Sequence, residues 1–188
     1  MIQKLARLKR FNLFMGSLHA IQSLVVAIIS NDSARSITAP YLQFDQATES
    51  LVPASRVLFD VGIGPLVALF FALSALAHLY VGTIGNKRYN ANLKKGINKA
   101  RWIEYALSAS LMIVLIAMLA GIFDVVSLLG LFTLTAVMNL MGLVMEIHNQ
   151  TTKKTNWLSF NIGCLAGIIP WLAIAIVCLL YTSPSPRD

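Results

Sequence analysis

The sequence predicts an all-α membrane protein, and three observations carry that expectation. Hydrophobic residues make up 57% of the 188-residue chain and charged residues only 12%, a balance outside the range of soluble domains. The apolar residues gather in five runs, about Phe11 to Ser30, Val57 to Val81, Ala100 to Ile122, Val125 to Ile147 and Trp157 to Tyr181. Each run is near the ~20 residues a helix needs to cross hydrocarbon. Charge is segregated as well: twelve of the fifteen Lys and Arg lie in Lys4 to Arg10, Lys87 to Arg101 and Lys153-Lys154, so every second loop is basic. By the positive-inside rule the N-terminus is cytoplasmic, and five crossings leave the last residues outside. The formal charge of +7 is therefore a matter of membrane topology rather than a nucleic-acid surface.

The expected layout is one membrane domain. A cytoplasmic lead covers 1–10 and the first span 11–30, followed by an extracellular loop over 31–56 and the second span over 57–81. A basic cytoplasmic loop fills 82–99, and the third and fourth spans cover 100–122 and 125–147. A cytoplasmic loop at 148–156 leads to the fifth span at 157–181 and a tail at 182–188.

The first run follows a basic lead, as a secretory signal would, but it is long and contains His19 and Gln22. It also lacks a clear small-x-small cleavage site, so it is taken as a span. His19 alone is equally compatible with a hydrogen-bonded structural histidine. In the external loop, β-prone residues on either side of Ala39-Pro40 suggest a small hairpin turning there. Gly62-Ile63-Gly64-Pro65 suggests a kink near the outer end of the second helix, and His78 lies towards its inner end. The basic loop that follows is expected to be solvated and to touch anionic lipid headgroups.

The third run carries the residue that most needs explaining, Glu104. A carboxylate at membrane depth costs roughly 2.5 to 3.5 kcal/mol on insertion scales, so it faces the bundle interior and finds a partner there. Glu104, Ser108 and Met112 follow the i, i+4, i+8 spacing of one helix face. With the second helix returning inward, His19, His78 and Glu104 fall at similar depth, which suggests a shared polar cavity. A short turn at Gly121 to Asp124 makes the third and fourth helices antiparallel neighbours. In the fourth, Asn139 at mid-membrane is expected to bridge to a neighbouring helix, and Glu146 to be interfacial. In the fifth, Gly163-x-x-x-Gly167 suits either dimerisation or intrachain packing. Trp171 is compatible with a cofactor-pocket wall and with lipid-facing packing alike. Cys164 and Cys178 are expected to be packing residues rather than a disulfide or metal site. The tail from Thr182 to Asp188 has the composition of a non-native end.

These residues bring a family into view. The chain resembles the heliorhodopsins, inverted-topology relatives of microbial rhodopsins. The resemblance is carried by the basic N-terminus with His19, the long external loop, His78, and Trp102-Ile103-Glu104-Tyr105-Ala106-Leu107-Ser108-Ala109-Ser110-Leu111-Met112. It implies a rhodopsin-like bundle of which five of seven transmembrane helices are present, with the N-terminus cytoplasmic. It implies all-trans retinal held as a protonated Schiff base on a seventh-helix lysine, with Glu104 as counterion. His19 and His78 would join a polar network beside it, Ser108 would lie near the Schiff base, and Tyr105, Met112, Asn139 and Trp171 would complete the cofactor-binding set. It further implies slow light sensing and signalling rather than ion pumping, a homodimer and an unknown signalling partner. All eight lysines, at positions 4, 9, 87, 94, 95, 99, 153 and 154, lie at or outside the span boundaries. The expectation is therefore a fragment truncated after the fifth helix, without the retinal-binding lysine.

Two other functions fit the same residues: a retinal-free membrane scaffold or partner-binding module, and a proton- or ion-translocating protein relaying through Glu104, His19 and His78. No enzyme is expected, since no nucleophile with a base, metal-ligand cluster or phosphate loop is spaced recognisably.

Overall fold

The computed structural model describes residues 2–31 and 33–182, and within them the chain is mostly helical. The order is α1 (Ile2–Ile29), β1 (Ala34–Asp45), β2 (Ser50–Gly62), α2 (Ile63–Gly82), α3 (Asn86–Lys94), α4 (Lys99–Leu119), α5 (Val125–His148) and α6 (Leu158–Thr182). Five of these helices, all but the short α3, are long and apolar enough to cross a membrane. The backbone logic is that of hydrocarbon, where each peptide group must be satisfied within its own segment.

Small residues set the helix pairs. A methyl group on Gly16 would lie 2.8 Å from Leu79, and one on Gly82 would lie 2.8 Å from Leu13, so α1 and α2 approach closely along their antiparallel contact. On α6, Gly163 and Gly167 lie against Met138 and Met141 of α5. The GxxxG pair thus serves packing within the chain. Between α4 and α5 the chain reverses through Gly121, whose φ of 94° favours glycine. The Asp124 side chain then accepts from Ser127 N at 2.7 Å and caps α5.

Several boundaries differ from the expected ones. Residues 57–62 are strand, not the start of the second helix, because Arg56 to Gly62 pairs antiparallel with Ala34 to Ala39. Gly62 is the N-cap residue of α2 and Pro65 sits in its first turn. There its missing N–H costs no intrahelical bond, so the helix starts at this point instead of kinking. The all-α expectation therefore gives way to a mostly helical fold with one two-stranded sheet. The hairpin does not turn at Pro40, which pairs with Ser55 inside β1. It turns at 46–49, where Asp45 Oδ1 accepts from Ala47 N at 3.1 Å. At the other end of the bundle, the lead is already helical from Ile2, and the basic loop contains α3. Cys164 and Cys178 are free and exposed on α6 rather than packed inside. The expected non-native tail lies, after Thr182, outside the described residues.

The hairpin reaches the core through Ile37, only 4% exposed, which joins Ile113, Ala117, Met118, Leu128, Leu131 and Ile174. Thr38 N donates to Phe123 O at 3.0 Å, stitching β1 to the α4–α5 turn. A bulge between Ile37 and Thr38 aims this segment at the helices.

Candidate polar site between α1, α2 and α4

Three helices supply the site. Ser74 and His78, four residues apart on α2, share a face, as do Asn12 and His19, seven apart on α1. Glu104 comes from the first turns of α4. Ser74 Oγ donates to Glu104 Oε1 at 2.7 Å. His78 Nδ1 lies 2.9 Å from Asn12 Oδ1, and since an amide oxygen only accepts, Nδ1 carries the proton. By the same reasoning His19 Nδ1 donates to Gln22 Oε1 at 2.8 Å. The two imidazoles stack with centroids 5.7 Å apart, and Phe71 backs His19 at 6.1 Å.

A cavity of about 150 Å³ opens beside these groups, lined by Asn12, His78, Glu104 and Tyr105, with Tyr89 and Arg101 towards the basic end. Asn12 is 4% exposed, and its Nδ2 has no partner among the described residues. The cavity thus presents an acceptor carboxylate and an unused donor to whatever enters it.

The expected site residues distribute unevenly. Glu104, His78 and Tyr105 line one cavity, and His19 joins them through its stack on His78. Ser108 is buried further along α4, while Met112 is partly exposed. Asn139 is buried on α5, but its Nδ2 donates to Thr135 O of its own helix at 2.9 Å. The interhelical bridge expected of Asn139 is replaced by this back-bond to its own turn, a local partner always within reach of a helical side chain. Trp171 is exposed on α6 and lines no part of the cavity.

Sequence reasoning missed Asn12 and Ser74. Each carried a legible signal, the heptad spacing to His19 and the i, i+4 spacing to His78. It also undervalued Glu146. Its Oε1 pairs with Arg101 at 3.2 Å and its Oε2 accepts from Asn98 N at 2.6 Å. It therefore anchors the start of α4, one turn before Glu104. This is the single ion pair among the described residues, so Glu104 is held by a neutral donor.

A family model described as Heliorhodopsin matches residues 8–186 of the chain. No curated protein matches it.

Proposed function

The chain belongs to the heliorhodopsin family, and from that premise we propose that it forms the first five helices of a light sensor in which Glu104 is the charge partner of bound retinal. The family is a retinal-binding membrane photoreceptor type rather than an enzyme family, and the chain is a multi-pass membrane protein.

The observation that carries the proposal is the Ser74–Glu104 hydrogen bond inside a membrane-spanning bundle. Ser74 orients the carboxylate and leaves its charge uncompensated by any cation among the described residues. A carboxylate so held fits a cationic group brought beside it, because each charge offsets the other's desolvation. Asn12 Nδ2 and the stacked His78 and His19 supply further polar contacts next to it. Retinal, when bound, supplies light absorption and a change of shape that displaces charge. The residues of this chain hold the opposing charge, with the His78 and His19 rings stacked beside it.

The eight lysines cluster at the basic end, in residues 4–9, 87–99 and 153–154. In this proposal the covalent anchor is a lysine outside these 188 residues, and the chain is part of a longer seven-helix protein. The same proposal makes the parent a slow, signalling homodimer rather than an ion pump. It also places the basic end in the cytoplasm, which the charge segregation supports.

The test is to express the complete gene product, add all-trans retinal and record the visible spectrum. A pigment band that moves to longer wavelength in Glu104→Gln supports the assignment. A band that this substitution leaves in place shows that another group holds the charge.

A further inference from the structure

A second cleft lies at the α2–α3–α4 junction, back to back with the Glu104 cavity, with which it shares Val81, Tyr89 and Ala100. Its volume is about 200 Å³, and it is lined from α3 by Arg88, Tyr89 and Asn92, from α4 by Lys99 and Ile103, and from the end of α2 by Tyr80. The α3 contribution is one helix face, since Gly85, Arg88, Tyr89 and Asn92 follow i, i+3, i+4, i+7 spacing. The wall is built rather than incidental. Gly85 N donates to Tyr80 O at 2.8 Å, and the Tyr80 ring packs so close to Gly85 that a methyl group there would strike it.

Two properties define what the cleft accepts. Neither Arg88 nor Lys99 has an ion-pair partner among the described residues. No carboxylate lines the cleft: Glu104 faces the neighbouring cavity, and Glu146 is taken by Arg101 and Asn98. The cleft is therefore cationic, with Asn92 and the tyrosines adding neutral polar groups. Ile103 in its lining is 52% exposed, and Ile84, beside Gly85 in the turn after α2, is 90% exposed. Cations and phenols beside the exposed Ile103, at the end of a membrane-spanning bundle, match a phosphate headgroup with an acyl chain against the α4 surface.

We propose that this cleft binds the headgroup of one anionic phospholipid from the leaflet at the basic end, with Arg88 and Lys99 on the phosphate and Ile103 against the acyl chain. The binding groups of this site include neither retinal nor the Glu104 carboxylate. It would fix α3 against the start of α4, whose next turn carries Glu104.

The test is binding of dioleoylphosphatidylglycerol to the full chain in detergent micelles, measured by native mass spectrometry against dioleoylphosphatidylcholine and against inorganic phosphate. The anionic lipid should be retained in preference to the zwitterionic one. Arg88→Gln with Lys99→Gln should weaken its binding about 25-fold, at about fivefold per cation. Arg88→Lys with Lys99→Arg should retain binding, and Lys153→Gln with Lys154→Gln should leave it unchanged. On the unsubstituted protein, the lipid should also slow hydrogen exchange across residues 85–100. Equal loss in the Lys153/Lys154 variant would overturn the proposal in favour of a diffuse basic surface. Equal competition by inorganic phosphate, or unchanged exchange at 85–100, would overturn the lipid assignment.

Discussion

Ser74 on α2 and Glu104 on α4 stand 30 residues apart in sequence and meet through a 2.7 Å hydrogen bond. The bond ties two membrane-spanning helices together within the first turns of α4, where a carboxylate in an apolar span needs a partner. Its consequences are both structural and chemical.

Ser74→Ala should lower the stability of the bundle by about 1.5 to 3 kcal/mol, the range for a hydrogen bond to a charged group. Paired with Glu104→Ala in a double-mutant cycle, it should show coupling of at least about 0.5 kcal/mol. Reversible unfolding in mixed micelles measures both. Additive effects would mean that the two side chains do not share a bond.

At the start of α4, Glu146→Ala removes the Arg101 ion pair and the acceptor for Asn98 N together. The expected loss is about 1 to 3 kcal/mol. Glu146→Gln, which keeps an acceptor, should lose less than half of that. Hydrogen exchange at Asn98 to Arg101 should quicken in the first variant and change little in the second.

Two glycines of α5 should respond oppositely to alanine. A methyl group on Gly142 would strike the Trp102 indole, whereas one on Gly130 would meet nothing within 4 Å. Gly142→Ala should destabilise by about 1 to 3 kcal/mol through overpacking. Gly130→Ala should stabilise by about 0.5 to 1 kcal/mol through helix propensity. Thermal unfolding followed by circular dichroism separates the two signs.

The hairpin turn holds Glu49 at a φ of 47°, which costs a non-glycine residue roughly 1 to 2 kcal/mol. Glu49→Gly should relieve that strain and raise exchange protection at Asp45 and Ser50. Unchanged protection would show that the turn is not what limits hairpin opening.

Much of this arrangement was legible from residues alone. The five apolar runs gave the spans, because length and hydropathy suffice where the solvent is hydrocarbon. The Gly121–Asp124 reversal followed from the shortness of the connection, and the structure adds the left-handed Gly121 and the Asp124 cap that make it. The start of α2 did not follow. Val57-Leu58-Phe59 reads as the beginning of an apolar span, and only its pairing with Ile37 and Thr38, about twenty residues earlier, makes it strand. Asn139 was misjudged for a related reason. A polar residue in an apolar helix announces a need for a partner but not where it lies, and Thr135 of its own helix met that need. At the polar site, ionisable residues drew notice while Ser74 and Asn12 did not, although each sits at helical spacing from a histidine.

The burial of Ile37 among residues 113–174 also imposes an order on biogenesis. Synthesis delivers β1 and β2 before α4, α5 and α6 exist, so the strand leaves the ribosome with its anchoring side chain homeless. It must wait, on its own side of the bilayer, until three further helices have inserted. Docking of the hairpin is then a late closure, and a chain arrested after α2 would display an apolar strand edge to chaperones.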